Sequence, residues 1–128
     1  QQLPMRFVTG IVGETADGLV CIARVPAACA LASDGAAPAL AAIEAAAQTA
    51  AMWEGLRRWR EGGDLVPRVG YLVALRDVVF FAATVPADAD LVASVRLVAA
   101  APPLTHYAVE VDHGPRRILR GTIATVLA

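Results

Sequence analysis

The pattern of apolar and polar positions changes character along the chain and first predicts a β-hairpin. Residues 5–15 alternate loosely up to a turn at 16–18, and residues 19–25 are rich in β-branched and apolar types. Pro26 closes the second strand, because proline has no N–H to donate to a sheet. Residues 27–37 then form a connection of small residues.

The next stretch, DGAAPALAAIEAAAQTAAMWEGL, runs from Asp34 to Leu56 and is apolar on nearly every face. Such a pattern predicts a helix that is enclosed rather than laid on a surface. Pro38 suits the first turn of a helix, and the pattern continues to Arg60. We therefore expect this stretch to be a buried central helix, with Asp34 more favoured as its cap than as a ligand.

Strand-like runs fill the chain beyond the helix, at 68–75, 78–84, 91–99, 104–111 and 118–127, with short turns between them. The first two runs are compatible with one long bent strand. A hairpin, one long helix and then consecutive antiparallel strands make an α+β layout rather than alternating βαβ units. We expect a single domain over residues 1–128, with a curved sheet wrapped round the helix.

The composition suggests a second subunit, and it argues against nucleic-acid binding and against a membrane span. Hydrophobic residues make up 57% and charged residues 18% of the chain, which suggests burial against a second subunit. The net charge is −1 and there is no lysine, so a basic surplus for nucleic acid is missing. The most apolar window carries Glu44 and Gln48 at its centre, which predicts a core helix rather than a membrane span.

The two cysteines, Cys21 and Cys29, have no CxxC spacing and no histidine nearby in sequence. This argues against a metal site and against a disulfide framework. No segment has the basic start and apolar core of a signal peptide, so a reduced, cytoplasmic setting is expected. No cofactor is predicted.

Glu44 is the most conspicuous candidate for chemistry. Between Val25 and Trp53 the only charged residues are Asp34 and Glu44, so Glu44 stands alone among alanines. An ionised carboxylate in such surroundings needs partners or a raised pKa. The structural alternative is a carboxylate favoured by the helix dipole or bonded to a neighbouring chain.

The segment DGAAPALAAIEAAAQTAA, with Pro38, Glu44, Ala47 and Gln48, resembles hotdog-fold 3-hydroxyacyl-carrier-protein dehydratases. The likeness is greatest to the small stand-alone dehydratase-like proteins of aryl-polyene and fatty-acid pathways, and it continues in RVGYLVALRDVVF and VPADADL. It implies the hotdog fold, in which a curved antiparallel sheet wraps a long central helix. It also implies a homodimer, or a heterodimer with another hotdog subunit.

The resemblance further implies that the chain acts on an acyl thioester of acyl carrier protein or coenzyme A. Glu44 would be the general acid for the departing hydroxyl, supported by Gln48 one turn further on. The helix start would bind the thioester through Asp34, Gly35, Ala36, Ala37 and Pro38. Arg57, Arg58 and Arg60 form either a solvated helix end or a contact for an acidic carrier.

One departure from the family pattern limits this expectation. In the common bacterial dehydratases, the histidine that removes the α-proton stands fourteen residues before the helix glutamate. The corresponding residue in this chain is Ala30. No histidine occurs before His106, which alternates on an outward strand face, and His113 lies in a turn. A dehydratase-like enzyme, a thioesterase using Glu44, and a non-catalytic acyl-binding or partner subunit of a hotdog heterodimer therefore all remain open.

Overall fold

The computed structural model describes residues 6–29, 35–63 and 70–127. Within these ranges the strands are β1 (Val8–Thr15), β2 (Gly18–Ala23), β3 (Ala36–Pro38), β4 (Gly70–Phe80), β5 (Thr84–Pro86), β6 (Leu91–Ala101), β7 (Leu104–His113) and β8 (Arg116–Leu127). One long helix, α1 (Ala41–Arg60), follows β3, and a short 3-10 turn covers Ala27–Cys29. None of the described helices is long and apolar enough to cross a membrane.

Six of the strands form one antiparallel sheet in the order β1-β2-β6-β7-β8-β4. The predicted hairpin is confirmed as β1 and β2, with Thr15 opposite Gly18. The two runs after the helix are largely one strand, β4, which a register shift between Arg76 and Val79 bends. Asp77, inside that irregularity, has a φ of 54°.

Helix α1 packs on one face of this sheet, chiefly over β2 and β6. Its small side chains, among them Ala42, Ala46 and Ala50, are completely buried. Because alanine extends so little from the helix, the backbone can approach the sheet closely and the strands supply the bulk of the core. Leu19, Tyr107 and Ile123 are the large, fully buried side chains on the sheet side.

The start of the helix differs from the prediction. Pro38 does not lie in its first turn but ends the short strand β3, where it is opposite Thr84 of β5. The helix begins at Ala41, three residues later, and ends at Arg60 as expected. Proline fits the end of a strand as well as the start of a helix, because it needs no donor at either position.

The edge strand β4 carries apolar side chains that are exposed to solvent. Leu75 is opposite Ile123 and Phe80 is opposite Leu119, and both partners on β8 are buried. Cross-strand neighbours share a face, so Leu75 and Phe80 lie on the core side of the sheet. They are nevertheless 44% and 41% exposed. Helix α1 therefore leaves part of this face of the sheet uncovered at the β4 edge.

Candidate active site

Glu44 lies in the first turn of α1, and its side chain is exposed on this chain. The expectation of a carboxylate enclosed among alanines is therefore wrong for the single subunit. The alanines beside it do face the sheet, but the position of Glu44 on the helix turns its side chain outwards. Its Oε1 accepts a hydrogen bond of 3.3 Å from Nε2 of Gln48. Within the described part of the chain no hydrogen bond involves Oε2.

Gln48 fixes this carboxylate relative to the sheet. Its Oε1 accepts hydrogen bonds from the backbone N–H of Phe7 at 2.7 Å and of Val8 at 3.3 Å. An amide oxygen that accepts two N–H groups fixes which way the amide points, so the NH₂ group must face the other way. That direction is towards Glu44. The structure thus brings the two predicted catalytic residues together and joins them to the start of β1.

The residues predicted to bind a thioester belong to a different element from the one expected. Gly35 lies at a bend with a φ of 76°, and Ala36, Ala37 and Pro38 form β3. They precede the helix start instead of forming it. The N–H groups of Ala42 and Ile43, in the true first turn, already donate to the carbonyls of Ala39 and Leu40. Asp34 and Ala30 lie outside the described residues.

The two histidines do not complete the site. His106 follows the alternation of β7, in which its neighbour Tyr107 points into the core under α1, so His106 lies on the opposite face of the sheet. His113 ends β7 at the turn into β8, opposite Arg116. Among the ion pairs and hydrogen bonds of the described residues, none joins either ring to Glu44.

A second carboxylate on the same helix, which the sequence analysis missed, is buried. Glu54 is 8% exposed, and it accepts a hydrogen bond of 2.6 Å from the hydroxyl of Tyr107. Nη2 of Arg57 donates to both its oxygens, at 3.1 and 3.3 Å. The one local signal was the spacing of Glu54 and Arg57 by three residues, which favours an ion pair on a helix.

Two aromatic contacts surround this pair. The guanidinium of Arg57 lies 4.9 Å from the ring centre of Trp53. The Trp53 ring in turn meets Tyr107 edge to face, with centroids 6.0 Å apart and planes at 85°. Burial, followed by the hydrogen bond to Glu54 and the charge of that residue, raises the pKa of Tyr107 well above 10.0. The phenol therefore stays protonated and donates to Glu54, which anchors the C-terminal half of α1 to β7.

The other arginines of the helix end differ in what they contact. Arg60 pairs with Glu14 of β1, and both side chains lie largely at the surface. Arg58 buries Nε and Nη1 without a hydrogen-bond partner in the described structure.

The described residues contain no cluster of three or more His, Cys, Asp or Glu that could hold a metal ion.

The sequence as a whole matches a family model. That model, ApeP-like and described as ApeP dehydratase, covers residues 1–128. The chain belongs to the ApeP-like dehydratase family. No match was found among curated proteins. The family membership confirms the resemblance to dehydratases of the aryl-polyene type that the helix motif indicated.

Solved structures share the fold of this ApeP-like chain. The dehydratase heterocomplex ApeI:P from Xenorhabdus doucetiae superposes with a TM-score of 0.85 at 19% identity, covering 100% of this chain and 86% of that one. A hypothetical thioesterase with coenzyme A from Streptococcus pneumoniae TIGR4 gives 0.60 at 13% identity, with 92% and 81% covered. The putative thioesterase yhdA from Lactococcus lactis gives 0.62 at 11% identity, with 87% and 78% covered.

These likenesses confirm the hotdog fold that was predicted, with one long helix packed against a curved antiparallel sheet. The dehydratase family, with thioesterases among its structural neighbours, supports acyl-thioester processing. At such low identity the neighbours bear on the fold alone, and the roles of individual residues have to be argued from the site itself.

Proposed function

We propose that this chain is one subunit of a hotdog heterodimer that dehydrates 3-hydroxyacyl thioesters, and that it supplies Glu44 as the general acid. Its partner would be a second hotdog subunit that carries the histidine missing here. The observation that carries this proposal is the state of Glu44. Its carboxylate accepts a hydrogen bond from Gln48 at one oxygen, and within residues 6–29, 35–63 and 70–127 no basic side chain is bonded to it.

The chemistry needs two groups, because a proton leaves C2 and a hydroxyl leaves C3. The partner's imidazole would take the C2 proton, and the electron pair of that C–H bond would form the C2–C3 double bond. Glu44, as the protonated acid, would give its proton to the C3 hydroxyl, which departs as water while the thioester stays intact. The water-exposed Glu44 of the single chain would be enclosed when the partner binds.

An exposed apolar surface near Glu44 would bind the proposed partner. The exposed apolar residues of β4 end at Phe80, which is 41% exposed, and Phe81, directly after the strand, is 49% exposed. Two residues further on, the carbonyl of Ala83 accepts a hydrogen bond of 2.9 Å from the N–H of Ala39, just before the helix. A subunit that paired with the β4 edge would therefore also approach the helix start that carries Glu44.

The substrate would be an acyl thioester of carrier protein or coenzyme A, reaching Glu44 past β3, which contains Ala36, Ala37 and Pro38 and is preceded by Asp34 and Gly35. The chain would form a single hotdog domain, work in the cytoplasm and need no cofactor or metal.

The decisive experiment compares the chain alone with its complex. Co-expression with a histidine-bearing hotdog subunit should give a stable heterodimer that converts a 3-hydroxyacyl-carrier protein to the enoyl form, measured by mass spectrometry. The chain alone should not. Glu44→Gln should lower the activity of the complex by about 100- to 10,000-fold. Full activity of the chain alone, or of the Glu44→Gln complex, would refute the proposal.

A second candidate is thioester hydrolysis, which one specific observation favours. A single open carboxylate can activate water without a histidine, and Glu44 has that form here. Purified chain without a partner would then release free thiol from an acyl-coenzyme A or acyl-carrier protein, and Glu44→Gln would abolish the release. Glu61→Gln, at an exposed carboxylate just beyond the same helix, is the matched control. No thiol release above that of buffer would remove this candidate.

A further inference from the structure

We infer that Arg58, in the last turn of α1, binds the phosphate of the phosphopantetheine arm that carries the acyl thioester. The same phosphate is present in coenzyme A and in a loaded carrier protein, so the site would serve either source. The inference rests on the proposed function in one respect, because Glu44 is taken as the position of the thioester end of that arm.

The guanidinium of Arg58 has donors that the fold does not use. Its Nε and Nη1 are buried and have no hydrogen-bond partner among the residues that the structure describes. Taking a guanidinium out of water is costly unless an anion pairs with it. Its planar fork of N–H donors matches the oxygens of a phosphate or a carboxylate. The group is therefore suited to an oxyanion that the described part of the chain does not provide.

Two carboxylates lie within reach of Arg58 along the helix, and neither pairs with it. Glu54 is four residues earlier, a spacing that favours an ion pair. Its oxygens instead accept hydrogen bonds from Arg57 and from Tyr107. Glu61 is three residues later and forms none of the ion pairs of residues 6–29, 35–63 and 70–127. The charge of Arg58 thus stays unpaired beside a carboxylate whose bonds are complete.

Arg58 does not cap the helix end either, although arginines near a C-terminus often bond the last carbonyls. The carbonyls of residues 57–59 already accept the backbone N–H groups of residues 61–63, at 2.8 to 3.1 Å. The guanidinium instead lies back along the helix, with Nη2 3.8 Å from the position that a Cβ on Gly55 would occupy. Because Gly55 has no side chain, an oxygen could approach Nη2 there.

Arg58 also lies on the same side of the helix as Glu44. The two are fourteen residues apart, and two heptads turn a helix residue by only about 40° from its starting direction. The small residues Ala51 and Gly55 lie between them on that side. Gly55, over which the guanidinium lies, is eleven residues beyond Glu44, or about 17 Å along the axis. An extended phosphopantetheine arm spans a distance of this order, so a thioester at Glu44 puts its phosphate within reach of Arg58.

The first test is a binding measurement on the purified chain, which needs no turnover. The Nε–H signal of Arg58 in a nitrogen-resolved NMR spectrum, assigned by its absence in Arg58→Lys, should shift with phosphopantetheine and stay in place with pantetheine, which lacks the phosphate. Arg58→Gln should weaken the binding of phosphopantetheine by at least about tenfold, as for loss of a charge-assisted hydrogen bond. Arg60→Gln is the matched control, because Arg60 pairs with Glu14 at the surface, and it should leave binding unchanged.

The second test uses the heterodimer and compares three thioesters of the same 3-hydroxyacyl group. Arg58→Gln should raise KM for the coenzyme A and carrier-protein thioesters by at least about tenfold and leave kcat within about twofold. The N-acetylcysteamine thioester has no phosphate, so its KM should not change. This pattern would assign the effect to the phosphate that the first two substrates share.

Three results would overturn the inference. The first is equal binding of phosphopantetheine and pantetheine by the parent chain. The second is a rise of KM with the carrier protein alone, which would place Arg58 against the surface of that protein. The third is a marked fall in the urea midpoint of Arg58→Gln, which would show that the guanidinium has a partner within the fold. Failure of the proposed function looks different, since the heterodimer would then not dehydrate while phosphopantetheine still shifted the Arg58 signal.

Discussion

The two halves of helix α1 each carry a carboxylate, and the two differ in nearly every respect. Glu44, in the first turn, is exposed, and one of its oxygens has no partner in the described structure. Glu54, ten residues further on, is buried and bonded to Tyr107 and Arg57. A carboxylate whose bonds are complete stabilises the fold, whereas one that is held and left open is available for chemistry.

This difference corrects a common inference from sequence. A charged residue alone in an apolar helix suggests a buried group with perturbed chemistry. Here the residue in the most apolar surroundings along the chain, Glu44, faces outwards, and the buried carboxylate is in the more polar half beside Arg57. Location in the sequence pattern and burial in the fold are thus separate properties of a helix residue.

The largest stability effect should come from Glu54→Ala. This change leaves the buried hydroxyl of Tyr107 without its acceptor and Arg57 without its ion pair, so we expect a loss of about 2–3 kcal/mol of unfolding free energy. Glu44→Ala, at the exposed end of the same helix, should cost well under half as much. Urea denaturation of both variants measures this difference, and equal midpoints would show that the two carboxylates are not distinct.

The sequence predicted the helix and the strands of the large sheet, but it did not predict which of the two carboxylates is buried. The hairpin and the strands of the large sheet follow from period-two alternation, which local sequence records directly. The start of the helix was misplaced because Pro38 pairs with Thr84, a contact between segments far apart in the chain. Glu54 was missed for the same reason, since its main partner, Tyr107, is 53 residues away.

Glu44 could be found from sequence because it is a charged residue alone among alanines, and Gln48 because the resemblance to the dehydratase helix pairs it with Glu44, one turn further on the same face. What the pattern could not supply was the direction of that face. It depends on where the segment leading into β1 runs, because the N–H groups of Phe7 and Val8 determine how Gln48 is held. The exposure of Glu44 is consequently a property of the tertiary structure alone.

A smaller effect is expected from Tyr107→Phe. The substitution removes one hydrogen bond to Glu54 and leaves Arg57 in place, and the ring keeps its contact with Trp53. We expect a loss of about 1 kcal/mol in unfolding free energy, as for a single buried hydrogen bond. Dehydration by the heterodimer should be unchanged. Loss of activity at unchanged stability would instead place Tyr107 in the site and break the division between the two halves of the helix.

The smallest expected effect is a loss of stability at alkaline pH that depends on Tyr107, the partner of the buried Glu54. The pKa of Tyr107 is raised in the folded protein above its ordinary value of 10.0, chiefly by burial. Below pH 10 the phenol is protonated in both states, so its full contribution to stability is present. Above pH 10 the unfolded chain loses this proton first, which lowers the free energy of unfolding by at most about 1.4 kcal/mol per pH unit.

Urea midpoints measured between pH 8 and pH 10.5 test this sign. The parent protein should lose stability more steeply than Tyr107→Phe above pH 10, and the two curves should run parallel below it. Glu44→Gln should keep the steep slope of the parent, because the group responsible lies at the other end of the helix. A Tyr107→Phe variant as steep as the parent would mean that the phenol ionises as easily in the fold as in the unfolded chain. The bonded network around Glu54 would then not be closed to water, and it would resemble the open site at Glu44 more than it differs from it.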